Sequence, residues 1–336
     1  MAEPLLSVRD LIVEFPTRRG TLRALDRVSF DIAPGEVLGM VGESGAGKSI
    51  TGAAIIGLIE PPGRIAGGEI RLKGERIDNL SLPKLRRIRG KRIGMVFQDP
   101  LTSLNPLYTV ARQITETIRT HHDVGEAEAR KRAIALLDRV GIPAAARRID
   151  DYPHHFSGGM RQRVVIALAL CAEPELVIAD EPTTALDVSV QAQIIEVLKD
   201  ICAERGAAVM LITHDMGVIA ETADRVAVLY AGRVAEIGPV ADVIQRAEHP
   251  YTSGLMGSIP TLTQETPRLV QIPGSMPRLN AIPQGCAFNP RCPQVMDRCR
   301  AERPELVQRP GNRQVSCWLH AGQPVGQADK QEAPHG

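Results

Sequence analysis

Short apolar runs bounded by turn residues recur along the chain. Val37–Val41, Ile93–Phe97, Leu176–Asp180 and Ala208–Thr213 predict strands, and the near absence of polar alternation in the first three predicts burial on both faces. Leu5–Phe15 and Val28–Ile32, joined through a turn at Arg18-Arg19-Gly20, predict a β-layer ahead of these, and Gly68–Gly74 predicts another strand. Val226–Tyr230 and Arg233–Ile237 predict a hairpin about Ala231-Gly232. Helical spacing takes over from Val110 to Val140, with Val110, Ile114 and Ile118 on one face and Ala133, Leu136, Leu137 and Val140 on another, interrupted at Asp123-Val-Gly125. Further helices are predicted over Ser49–Leu58, Leu82–Lys91, from Ser157-Gly-Gly to Cys171, and over Val190–Arg205. The loop Asp99–Pro106 is too rich in turn formers to predict a helix. Strands alternating with helices predict an α/β fold.

After Gln245 the pattern changes. Prolines at 250, 260, 267, 273, 277, 283, 290 and 293 break up any long helix or central strand, so a loop-rich extension is predicted that needs another source of order. The 336 residues suit one large domain, 1–245 with a helical segment about 99–172, and a smaller one, 246–336. Lys and Arg total 40 against 39 for Asp and Glu, so no global field draws the chain to nucleic acid. Apolar stretches fall short of a membrane span and Met1-Ala-Glu-Pro begins no leader, so a cytosolic chain is expected.

Candidate chemistry centres on Gly42-Glu-Ser-Gly-Ala-Gly-Lys-Ser49, which fits G-x-x-x-x-G-K-[ST] between a predicted strand and a predicted helix. Gly42, Ser44, Gly45, Ala46 and Gly47 let backbone N–H groups turn inward around an anion, with Ile50 opening the helix behind them. Lys48 brings a point charge to the β/γ-phosphates and the Ser49 hydroxyl can ligate Mg²⁺. Asp180 and Glu181, at the end of an apolar strand, can supply one carboxylate to Mg²⁺ and one to take a proton from water. Ser157-Gly-Gly159 at a helix start is a second anion site in one chain. Phe15, at the edge of the first β-layer, is placed either to stack on a nucleobase or to end a strand in the core.

With these motifs in order, the sequence resembles the ATP-binding-cassette ATPases over about residues 5–245. The resemblance implies a P-loop ATPase fold of mixed sheet, antiparallel β-layer and helical subdomain. It implies Gln98 as the Q-loop glutamine, contacting nucleotide and Mg²⁺ with Ser49 and Asp180, and Ser157, Gly158 and Gly159 as the signature. It further implies Glu181 as catalytic acid, Thr184-Ala-Leu-Asp187 as the D-loop and His214 as the switch histidine. In that family the signature of one subunit closes over ATP held by the phosphate loop of another, which accounts for two anion sites in one chain. Met160 departs from the commonest signature, where Gln is usual.

Tyr152-Pro-His-His155 before the signature, Gln98–Pro106 and the tail Gly285–Pro293 resemble the dipeptide/oligopeptide importer branch. This implies a peripheral subunit on the cytoplasmic face of a bacterial inner membrane. Its implied partners are a second, similar ATPase, two membrane permeases and, through them, an extracytoplasmic peptide-binding protein. Nickel, glutathione and antimicrobial-peptide cargo stay open. The rival is a soluble ABC ATPase acting on ribosomes or DNA, favoured by the basic run Arg86–Arg92 alone.

Cys171 and Cys202 sit in helical patterns as small core residues, whereas Cys286, Cys292, Cys299 and Cys317 cluster with spacing Cys-x₅-Cys-x₆-Cys-x₁₇-Cys. Four thiolates suit tetrahedral Zn²⁺ or an iron–sulfur cluster. Tight Cys-x₂₋₄-Cys pairs, the usual zinc spacing, are absent, while Cys292-Pro293 and the charges of Arg291, Arg298 and Arg300 suit a cluster. The residues leave the two open; the resemblance implies [4Fe–4S], in a structural role.

Overall fold

The computed structural model describes residues 3–183, 188–257 and 272–320. The strands, in chain order, are β1 (Leu6–Thr17), β2 (Gly20–Ile32), β3 (Val37–Val41), β4 (Arg64–Leu72), β5 (Glu75–Arg76), β6 (Ile93–Val96), β7 (Leu176–Asp180), β8 (Ala208–Ile212), β9 (Arg225–Tyr230), β10 (Arg233–Pro239), β11 (Val307–Arg309) and β12 (Arg313–Val315). They form an antiparallel sheet ordered β2-β1-β4-β5 and a larger sheet ordered β11-β12-β10-β9-β3-β8-β7-β6. The larger sheet is parallel from β9 to β6 and antiparallel from β9 out to β11.

All five residues of β7 and of β8 are buried, because both faces of the central sheet are covered. Side chains of successive residues point to opposite faces. Val177, Ala179, Val209 and Leu211 enter a core shared with Ile114, Leu137 and Ile166 of the helical layer. Leu176, Ile178, Met210 and Ile212 enter a second core with Leu6, Val8, Leu11 and Val28 of the antiparallel sheet. The apolar runs lack polar alternation for this reason.

Between β6 and β7 the regular elements are helical: Pro100–Ser103, Val110–His121, Glu126–Arg139, Ala145–Arg148, a 3₁₀ turn at Pro153–His155, and Gly158–Leu170. The first differs from the sequence expectation of an irregular loop. Asp99 Oδ1 accepts from the Leu101 N–H at 2.8 Å and Pro100 holds the first helical position, so residues that read as turn formers here act as cap and first residue of a single turn.

The extension finds its order in the main sheet. Its strand β12 pairs with β10, placing Glu236 opposite Val315, and β11 adds outside it. Arg313 donates to Glu236 at 2.7 Å, both side chains being nearly inaccessible to solvent, and Arg303 reaches Asp26 on β2. Phe288 meets the rings of Tyr230 and Tyr251 at centroid distances of 5.2 and 5.4 Å. Among the described residues no helix is long and apolar enough to cross a membrane.

Candidate nucleotide site

The phosphate loop leaves β3 and enters the helix Lys48–Ile55, as its sequence context predicts. Two glycines are required by their surroundings. Gly42 has φ +149°, and a Cβ there would lie 2.3 Å from the Leu229 carbonyl oxygen; Gly47 has φ +106°, and a Cβ would lie 2.7 Å from Leu25 Cδ2. Lys48 is 6% exposed, and its Nζ donates to the Gly42 and Glu43 carbonyls at 2.8 and 3.2 Å. Burial pushes its ammonium below the usual lysine range, against the raising effect of Glu181 and Asp180. Bound phosphate oxygens can take over those hydrogen bonds and restore the charge.

At the carboxyl end of β7, the Ser49 hydroxyl donates to Asp180 Oδ1 at 2.9 Å. Burial raises the Asp180 carboxyl, the Ser49 hydrogen bond lowers it, and the neighbouring Glu181 raises it further. A divalent cation would relieve that buried charge, and a hydroxyl with a carboxylate is an oxygen-only donor pair suited to Mg²⁺. Glu181 follows at φ +45°, a conformation unfavourable for a side chain of its size, held by its N–H donating to the Ile212 carbonyl at 2.8 Å. Gln98 Nε2 donates to Glu181 Oε2 at 3.1 Å, and His214 Nδ1 lies 3.5 Å from Oε1. Gln98, Asp180, Glu181 and His214 thus gather from the ends of three parallel strands around one point beside Lys48.

Gln98 and Glu181 border a cavity of about 410 Å³ that is also lined by Ala24, Ser44, Gly45, Gly47, Lys48, Ser49, Ile50 and residues Met276–Leu279 of the extension. That volume is in the range of small-molecule sites. Ala46 is buried beneath the loop. Phe15 does not line the cavity: it is half-buried, and a Cβ added at Gly63 would lie 2.5 Å from its Cε1.

Ser157, Gly158 and Gly159 do not line it either. Ser157 caps the helix Gly158–Leu170, its Oγ accepting from the Met160 N–H at 3.4 Å, and a Cβ on Gly158 would meet no atom within 4 Å, so the helix start is open to solvent. Arg148 explains what Met160 does there: it donates to Met160 Sδ at 3.5 Å and lies over the Phe156 ring. Asp187 and the rest of Thr184-Ala-Leu-Asp187 lie outside the described residues.

The sequence reading did not foresee Met276–Leu279, nor the hydrogen bond from the Glu43 N–H to the Tyr251 hydroxyl at 2.8 Å. No local signal marks either, since both depend on residues more than 200 positions away.

The expectation of an iron–sulfur cluster or Zn²⁺ at Cys286, Cys292, Cys299 and Cys317 is overturned. Among the described residues no group of three or more His, Cys, Asp or Glu side chains is placed to hold a metal ion, and all four cysteines are free. Burial pushes the Cys286, Cys292 and Cys317 thiols up, the last to about 11. The nearby cations are otherwise employed. Arg291 pairs with Glu43 at 3.0 Å, while Arg298 pairs with Glu302 at 2.9 Å and stacks 3.6 Å from the Trp318 ring centroid. Cys171 and Cys202 are buried in the helical core, as expected.

Comparison with known proteins fits this geometry. A family model described as "ABC transporter" matches residues 25–184, and one described as "Oligopeptide/dipeptide transporter, C-terminal region" matches residues 235–299. The chain is 47% identical to the dipeptide transport ATP-binding protein DppD of Escherichia coli (strain K12), over 96% of this chain and 99% of that one. It is 48% identical to DppD of Bacillus subtilis (strain 168), over 94% and 95%. Among solved structures, the ATP-binding cassette MJ0796, dimeric and bound to ADP and Pi after hydrolysis, is similar with a TM-score of 0.64 and 29% identity, covering 70% of this chain and 98% of that one. The chain therefore belongs to the ABC transporter family, as an ATP-hydrolysing subunit homologous to the dipeptide and oligopeptide import ATPases and, by that membership, a component of a multi-subunit transporter.

Proposed function

We propose that this chain energises import of dipeptides or oligopeptides, working at the cytoplasmic face of a bacterial inner membrane with a second, similar ATPase, two permeases and an extracytoplasmic peptide-binding protein. The observation that carries the reading is the convergence of Lys48, Gln98 and Glu181 on one cavity, with Asp180 and His214 held against its Ser49 and Glu181, in a chain that aligns nearly end to end with dipeptide transport ATP-binding proteins.

The phosphate loop and Lys48 bind the triphosphate. Ser49, Asp180 and Gln98 would hold Mg²⁺, which offsets phosphate charge when bound. Glu181 accepts a proton from water as the water oxygen attacks the γ-phosphorus, and the bond to ADP breaks; His214 and Gln98 fix the carboxylate and orient the water. Ser157 and Gly158, exposed, and Gly159 beside them close over ATP on the second ATPase. Phe15, outside the cavity lining, is given no nucleotide contact.

Phe97, Leu101 and Leu107, within eleven residues of one another in sequence, are exposed large apolar side chains, and such side chains, where they gather, mark partner surfaces. The permeases are the partner proposed for this segment. The basic run gives the nucleic-acid reading little support, because Arg89 donates to the Ile56 and Gly57 carbonyls and Arg92 pairs with Glu75 and Glu175, which leaves Arg86 and Arg87 as its exposed arginines. Affinity purification of the tagged chain from detergent-solubilised membranes should recover two permeases and a second ATPase in stoichiometric amounts. Recovery of ribosomal proteins or DNA, with no permease, would refute the proposal.

A further inference from the structure

The cavity has two chemically different halves. One carries the anion-binding groups Ser44, Gly45, Gly47, Lys48 and Ser49; the other is formed by Ala24, Met276, Pro277 and Leu279, with Arg278 exposed at its rim. A nucleoside triphosphate with its phosphates on the first group has the rest of the lining left for ribose and base, and there Ala24, Met276, Pro277 and Leu279 are the apolar residues beside Ile50. The flat, weakly polar faces of a base suit apolar side chains and the polarizable methionine sulfur.

The segment that supplies this wall is fixed to the phosphate loop itself. Arg291, with an 8% exposed side chain, donates through Nη1 to both carboxylate oxygens of Glu43 at 3.0 and 3.1 Å and through Nε to the Pro273 carbonyl at 2.8 Å. Its guanidinium also lies 5.9 Å from the ring centroids of Tyr230 and Phe288. One cation therefore ties the second residue of the phosphate loop to the backbone just ahead of Met276. Met276 is packed against both hydrophobic cores, and a turn hydrogen bond from the Ala281 N–H to the Arg278 carbonyl at 2.8 Å closes the far end. Phe15, the residue whose sequence position suggested base stacking, rests on Gly63 outside the cavity.

We propose that the C-terminal extension supplies, within the same chain, the nucleoside-contacting wall of the ATP site, with Met276 and Leu279 as the residues that touch base and ribose. The inference rests on the ATP-site reading given above. It gives the extension a direct part in nucleotide recognition, in addition to whatever it contributes to assembly.

The test compares two probes on the full-length chain, ATP and inorganic triphosphate, which share the phosphates and differ in the nucleoside. In the double variant Met276→Ala/Leu279→Ala, ATP affinity should fall about tenfold while inorganic triphosphate affinity stays within about twofold of wild type. Phe15→Ala should change neither by more than about twofold. ATP affinity unchanged in the double variant, or both probes weakened equally, would overturn the proposal. Lys48→Ala separates the two levels of argument: it should weaken both probes strongly. If it left both intact, the ATP-site reading itself would fail; a loss there together with a silent double variant would sink this inference alone.

Discussion

Replacing Glu181 by Gln should reduce ATP turnover by about 10²–10⁴-fold, the usual contribution of a general base, while leaving ATP affinity close to wild type. The carboxylate is held from both sides, with Gln98 Nε2 at 3.1 Å and His214 Nδ1 at 3.5 Å, on a backbone whose φ of +45° is maintained by the hydrogen bond to the Ile212 carbonyl. Glutamine retains the shape and one acceptor but cannot take a proton from water. Lys48→Ala should behave differently. It removes the buried cation of the loop, the proposed partner of the phosphates, so both affinity and turnover should fall. Equilibrium nucleotide binding and phosphate release, measured on both variants in the presence of Mg²⁺, distinguish the two roles. A Glu181→Gln chain that hydrolyses ATP near the wild-type rate would remove Glu181 from the chemistry.

The second large effect is on stability, at the seam between extension and ATPase domain. Glu236→Ala should cost about 3 kcal/mol, the low end for a broken buried pair, because Arg313 would keep only Glu248, at 3.6 Å, as a carboxylate partner. The Glu236 carboxylate also accepts from the backbone N–H groups of Glu248, at 3.0 and 3.2 Å, and His249, at 2.9 Å, so its loss leaves further donors unsatisfied. Glu236→Gln retains an acceptor for these and should cost less. Arg132→Ala, which breaks the exposed helical pair with Glu128, should cost under about 1 kcal/mol. Thermal denaturation of the four chains orders them wild type, Arg132→Ala, Glu236→Gln, Glu236→Ala. Equal midpoints for Glu236→Ala and Arg132→Ala would mean that the buried pair does not join the two parts.

The central sheet and the phosphate site were legible because their signals are local. A strand of Val, Leu and Met running into Gly42–Ser49 specifies the strand, the turn and the helix within twenty residues, and β7 announces its burial by carrying four apolar residues before Asp180. The turn at Pro100–Ser103 was misjudged because Asp and Pro favour both loops and helix starts, and only the Leu101 hydrogen bond to Asp99 decides between them. Strands β11 and β12 escaped for a different reason. Val-Gln-Arg and Arg-Gln-Val are too short and polar to show a period, and become strands because β10 offers an edge to pair with. The cysteine spacing suggested metal chemistry, yet no metal-ligating group is found among the described residues; the order comes from pairing with β10, the Arg313–Glu236 pair and the aromatic contacts of Phe288. Contacts of that range, such as Arg291 to Glu43, leave no trace in a local pattern.

Peptide uptake tests the account most directly. In a host strain lacking this chain but retaining its transporter partners, the wild-type chain supplied from a plasmid should restore accumulation of a labelled dipeptide or tripeptide, and Glu181→Gln expressed to the same level should not. Equal restoration by both chains, or no restoration by a wild-type chain that hydrolyses ATP normally, would contradict it.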